Sequence, residues 1–202
     1  MTDLLNVALQ AMIMENLALV FLLGMCTFIA VSRRVETAIG LGIAVVVVEV
    51  VTVPLNNALY QLFLEEGAMA WAGLPNLDLS HLRFITAIGV IAASVQILEL
   101  VLDRFFPRLH RSLGVYLPLL TVNCAVLGAS LLMQERDYGF VQSAFYGLGA
   151  GLGWALAVIL FAAIRERMRY SDAPRGLRDL GMAFIVTGFL AMAFTGLRGM
   201  EL

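Results

Sequence analysis

Residues 17–32 read LALVFLLGMCTFIAVS, and residues 114–130 read GVYLPLLTVNCAVLGAS. Both stretches are apolar nearly throughout, and each carries one cysteine six residues before a serine: Cys26 and Ser32, then Cys124 and Ser130. A short polar turn follows each, and then an apolar stretch spaced by glycines: Gly40 and Gly42 in AIGLGIAV; Gly147, Gly149, Gly151 and Gly153 in YGLGAGLG. A helix needs about 20 apolar residues to cross about 30 Å of hydrocarbon. Lipid offers no partner to an open backbone N–H or C=O, so such stretches are expected to be helical. A β-barrel would show alternating segments of about ten residues instead of continuous apolar runs.

Working outward, six stretches qualify as spans. They run over about 4–31, with Glu15 and Asn16 inside; 35–60, interrupted by Glu49 and Pro54; 82–102; 113–133; 140–164; and 180–197. The 202 residues are 61% hydrophobic and 14% charged, against about half and a quarter in soluble domains. The expectation is an all-α integral membrane protein. It forms a single membrane domain over 1–202, with one repeat over about 1–103 and a second over about 104–202. Three spans per half is an odd number, so the halves face opposite ways, as in inverted-repeat membrane proteins. A net charge of −2 gives no electrostatic basis for nucleic-acid binding. Asp3 is the only charged side chain before Glu15, so no basic leader of a cleavable signal peptide is expected.

Orientation follows from arginine, the only basic residue type besides two histidines. Arg33, Arg34, Arg104, Arg108, Arg111, Arg165, Arg167, Arg169, Arg175 and Arg178 fall in the odd-numbered loops, leaving Arg83, Arg136 and Arg198 on the other side. Cytoplasmic loops carry the excess of Lys and Arg, which places both termini on the periplasmic side. The longest outer connection, about 61–81, carries Glu65, Glu66 and Asp78.

Cys26 lies seven residues before Arg33, about 10 Å deep at 1.5 Å per residue, and Cys124 lies ten before Gln134. Gly24, Pro118 and Asn123 next to them break helices, and broken half-helices inside a membrane line sites. Three readings stay open for the pair. They are small apolar core residues, a disulfide, or half of a metal or iron–sulfur site. An iron–sulfur cluster takes four thiolates, so two would come from a partner chain. His81 and His110 lie at opposite interfaces and do not complete the set. Among other polar residues in the spans, Glu49 reads as a packing carboxyl. Glu99 is a candidate for a cation path, because hard cations prefer oxygen ligands. The four glycines at 147–153 read as close helix packing.

Longer strings carry a resemblance. ENLALVFLLGMCTFIAVSRRVETAIGLGIAVVVVEVVTVPLNN, FITAIGVIAASVQILELVLDRFFPRL, RDYGFVQSAFYGLGAGLGWALA and RERMRYSDAPRGLRDLGMAFI, with the cysteine strings above, resemble the E subunits of bacterial sodium-translocating NADH:quinone oxidoreductases. The paralogous A subunits of Rnf-type ferredoxin:NAD oxidoreductases are similar, and GMCTF and VPLNN look more like the quinone-reductase members. The resemblance implies six spans in two inverted triplets with broken half-helices carrying the cysteines. It implies a place in a six-subunit complex of the bacterial inner membrane, beside a homologous D subunit of opposite topology. It implies that Cys26 and Cys124 join two cysteines of that D subunit around an intramembrane [2Fe–2S] centre. Electrons from a cytoplasmic NADH and flavin subunit would cross there to an outer FMN subunit and go on to quinone. Such a chain is part of a translocase and not catalytic alone. Gly24, Thr27, Asn123 and Ala125 would shape the site and hydrogen-bond the sulfurs. A secondary carrier with inverted repeats and an inert assembly protein are the competing readings.

Overall fold

The computed structural model of the chain describes residues 2–64, 80–105, 107, 116–170, 174, 177 and 179–198. Arg108, His110, Arg111, Arg175, Arg178 and the acidic connection over 65–79 lie outside the described residues. Every described element is helical. Helix α1 (Thr2–Leu9) runs into a π-helical turn, Gln10–Met14; α2 is Met25–Val31; α3 is Val35–Leu59, with a π-helical turn at Tyr60–Leu64. A 3₁₀ turn, Ser80–Leu82, leads into α4 (Arg83–Phe105). Helices α5 (Leu117–Thr121), α6 (Cys124–Glu135), α7 (Phe140–Met168) and α8 (Leu180–Arg198) complete the order. By length and composition four segments can cross a membrane: Val35–Leu64, Arg83–Phe105, Leu117–Glu135 and Phe140–Met168. Asp3–Met14 and Leu180–Gly196 are shorter apolar helices.

The first stretch, expected over 4–31 with a break at Gly24, is interrupted over a longer segment than that. It stops at Glu15 and resumes only at Met25. Asn16 fixes that break from both sides. Its amide donates to Gly153 O at 2.7 Å and Met12 O at 3.2 Å, while its Oδ1 accepts from the backbone N–H of Ala18 and of Leu19. Buried backbone groups that leave a helix need such partners. Leu22 and Gly24 then take positive φ, 54° and 77°, to reverse the chain into α2. The fourth stretch is expected over 113–133; 113–115 lie outside the described residues, and from Leu117 on it is helical but divides between Thr121 and Cys124. Pro118 sits in the first turn of α5, where a missing N–H costs nothing. The second stretch is a correction in the other direction: α3 passes through Glu49 and Pro54 without a break. Neighbouring helices make a proline tolerable in such a setting.

Packing centres on α3 against α7, and glycine sets its closeness. A Cβ on Gly147 would lie 2.8 Å from Glu49 O, and one on Gly151 would lie 2.9 Å from Val46 Cα. A Cβ on Gly149 would overlap Ala8 O instead, and one on Gly153 would lie 2.6 Å from Met12 O. Two interleaved small-xxx-small patterns therefore serve two partners from one helix. Glu49 is fully buried, and the atom it brings to the first of these contacts is its backbone O. The outward face carries large apolar side chains every fourth residue: Ile39, Ile43, Val47, Val51 and Leu55 on α3; Leu148, Leu152, Leu156 and Leu160 on α7. A surface stripe of this kind suits lipid or a partner helix, not water.

The first break is also tied to the turn after α6. Arg136 Nη1 lies 2.5 Å from Glu15 Oε2, and its guanidinium stands over the rings of Tyr138 and Tyr146 at 6.0 and 5.8 Å. Glu15 keeps 8% of its side-chain surface exposed and Arg136 27%. Removing one partner strands the other, at a cost of about 3 kcal/mol. Arg136→Met should thus lower the thermal midpoint of the solubilised protein, and Glu15→Gln added to it should restore most of the loss. A double variant as unstable as the single one would mean that the pair is not the cause.

Candidate functional site

The two breaks meet. A Cβ on Gly24 would sit 2.5 Å from Asn123 Oδ1, 3.0 Å from Trp154 Nε1 and 3.2 Å from Ala125 Cβ. Only glycine fits there, since its φ of 77° is also in the left-handed region. Thr27 Oγ1 donates to Leu119 O at 3.5 Å and so ties α2 to α5. Sequence reasoning named Gly24, Thr27, Asn123 and Ala125 beside the cysteines; the fold brings Gly24, Asn123 and Ala125 into contact, while Thr27 reaches α5 instead.

Each cysteine opens a helix. Gly24 caps α2, with Cys26 its second residue; Asn123 caps α6, with Cys124 its first. Asn123 Oδ1 accepts from Ala125 N at 3.0 Å, the usual work of an asparagine cap. The N-terminal end of a helix leaves N–H groups open and favours negative charge, which suits a sulfur acting as thiolate. Both thiols are free and exposed. Cys26 Sγ lies 3.8 Å from Thr27 Oγ1, and Cys124 Sγ 4.0 Å from Val122 O. The exposure counts against the reading of the two cysteines as inert core.

Behind the thiols the wall is rigid. Phe28 packs edge-on to Trp154 at 6.3 Å and stacks on Phe161 at 4.9 Å, and all three are fully buried. A seven-residue helix such as α2 is not stable alone. Its place is set by this packing. Asn123 Nδ2 and Trp154 Nε1 are buried donors with no hydrogen-bond partner among the described residues, and both belong to the contact around Gly24.

The donor set suits half of an iron–sulfur centre and no more. Two exposed thiols at adjoining helix starts match the chemistry of thiolate ligation. Among the described residues no group of three or more His, Cys, Asp or Glu side chains gathers to hold a metal within this chain. Glu99 sits half-buried six residues before the end of α4 and joins no such group.

Comparison with known proteins gives one family. A sequence model described as "Rnf-Nqr subunit, membrane protein" matches residues 4–201. A protein of Hahella chejuensis, named as the E subunit of a Na(+)-translocating NADH-quinone reductase, is 61% identical over 198 residues, covering 98% of each chain. Proteins of the same name from Marinobacter nauticus and Azotobacter vinelandii are 59% and 56% identical over 202 residues, covering the whole of each chain.

Proposed function

The chain belongs to the Rnf-Nqr family of membrane proteins, and from that premise we propose that it is a membrane component of a sodium-pumping NADH:quinone oxidoreductase. In this reading it spans a bacterial inner membrane six times as two inverted triplets, with both termini periplasmic. Cys26 and Cys124 supply two thiolates to a [2Fe–2S] centre shared with a homologous D subunit within a six-subunit complex. When bound, that group would accept and release one electron at a time. The observation that carries the reading is the meeting of the two breaks, which sets one exposed thiol at the start of α2 and another at the start of α6.

The rest of the work falls to this chain's own residues. Gly24 lets the two breaks close on each other, and Asn123 caps α6 so that Cys124 is its first residue. With its own proton on Leu119 O, Thr27 Oγ1 can accept from the Cys26 thiol, and the N–H groups of Asn123 and Trp154 stay buried and unpartnered at the contact around Gly24. Phe28, Trp154 and Phe161 keep water from the inner side. Glu99 remains a candidate on the cation path. The test is iron: the purified complex should hold iron with a rhombic paramagnetic signal on reduction that Cys26→Ala removes. A wild-type complex whose iron content and signal are identical to those of Cys26→Ala would sink the reading.

A further inference from the structure

Both cysteine-bearing half-helices carry the same arrangement six residues after the thiol, at the C-cap of α2 and in the middle of α6, with partners drawn from opposite halves of the chain. On α2, Ser32 follows Cys26 by six residues, and its Oγ donates to Ile29 O at 3.1 Å. The same Oγ accepts from Arg165 Nη1 of α7 at 3.0 Å, and that nitrogen also donates to Ile29 O at 2.8 Å. On α6, Ser130 follows Cys124 by six residues, and its Oγ donates to Val126 O at 3.1 Å. It accepts from Asn56 Nδ2 of α3 at 3.0 Å. Both serines are fully buried, Asn56 is 2% exposed and Arg165 is 8% exposed. Each hydroxyl thus closes on its own helix and takes one hydrogen bond from the long glycine-bearing helix of the other half.

We propose that Arg165 and Asn56 are positioning residues, each holding the cysteine-bearing half-helix of the opposite half of the chain where its thiol is needed. The proposal rests on the reading of the thiols as ligands for its purpose, but not for its geometry. A helix of seven residues cannot set its own axial position. Its aromatic contacts resist tilting, and a hydrogen bond at its C-cap fixes how far α2 slides and turns; on the twelve-residue α6 the bond to Ser130 pins the middle of the helix. Arg165 is itself held. Its Nη2 donates to Asp179 Oδ1 at 2.6 Å, and Asp179 Oδ2 lies 3.9 Å from Arg33 Nη2. That hydrogen bond keeps the Asp179 carboxyl below the usual carboxylate range. A lowered carboxyl lends its support above its unfolded pKa and loses it only as pH falls through the folded value, so the strut stands at neutral pH. On the α6 side Asn57 donates to Tyr138 O at 2.5 Å and steadies the same end of α3.

The discriminating experiment is site-resolved alkylation of the assembled complex in membranes from iron-starved cells, with N-ethylmaleimide as probe and mass spectrometry as readout. Arg165→Met should raise the alkylation rate of Cys26 several-fold and leave Cys124 unchanged; Asn56→Leu should do the reverse. Arg165→Lys keeps a donor and should bring the rate at Cys26 back towards the wild-type value. In iron-replete complex, each disruptive variant should weaken iron retention against a chelator about tenfold. If Arg165→Met or Asn56→Leu prevents assembly, Ser32→Ala and Ser130→Ala make smaller lesions with the same expected selectivity. Variants that move both thiols equally, or neither, would overturn the proposal. A complex in which iron never protects the wild-type thiols would sink the shared-centre reading instead, while selective alkylation would leave the clamps standing.

Discussion

Alanine at either Cys26 or Cys124 is expected to abolish NADH-to-quinone electron flow while leaving the complex assembled. Both thiols are exposed in this chain, so removing one sulfur atom opens no cavity in its core. A buried cysteine would behave differently, because truncation in a packed interior costs the lost contacts and the void left behind. Here the thermal midpoint should stay at the wild-type value, and the damage should be chemical. Changing groups that only orient a ligand costs about 10–100-fold, and loss of the ligand itself should exceed that. Serine at the same positions, nearly the size of cysteine but a harder ligand, should retain little of the iron. The measurements are NADH-driven quinone reduction, iron per complex and the unfolding midpoint, taken on the same preparations. Full turnover in both alanine variants would reduce the cysteines to bystanders.

Much of this was legible in the sequence because hydropathy and spacing are local. The stretches at 140–164 and 180–197 correspond to α7 and α8, and the stretch at 82–102 to α4, within a few residues. The pairing of Cys26 with Ser32 and Cys124 with Ser130 marked two related half-helices, and the four glycines announced a close crossing. Gly24 announced a break before Cys26, but its early start at Glu15 was not legible. Its residues LALVFLLG are as apolar as any span, and what ends the helix is the Asn16 amide reaching Gly153 O, 137 positions away. The pairs Glu15 with Arg136 and Ser32 with Arg165 are hidden for the same reason. Arg165 read as a topology signal among the RERMR charges, and nothing local distinguishes it from Arg167. Pro54 misled in the other direction. Its cost to a helix is real in water, but α3 runs on through it with Pro54 buried.

Gly149→Val should be the most damaging substitution away from the cysteines. The Cβ alone would overlap Ala8 O and lie 2.8 Å from Ala8 Cα, both backbone atoms that no rotamer change can move aside. The first helix must then back away from α7. Its π-helical turn, the Asn16 hydrogen bond to Gly153 O and the break that leads to Cys26 are displaced with it. Overpacking of a tight contact costs about 1–3 kcal/mol, and a branched side chain against backbone belongs at or above the upper end. The expected result is a fall in the thermal midpoint together with loss of iron, although residue 149 is far in sequence from both thiols. Two other glycines calibrate the experiment. At Gly89 of α4 a Cβ meets nothing within 4 Å, so Gly89→Ala should be neutral or stabilise by up to about 1 kcal/mol through helix propensity. At Gly128 a Cβ would meet only Leu23 Cδ1, the end of a flexible side chain, so Gly128→Ala should cost much less than Gly149→Val. If Gly149→Val matched Gly89→Ala in stability and iron content, the first helix could not be what carries the position of Cys26, and the thiol's placement would rest on α2 and its aromatic wall alone.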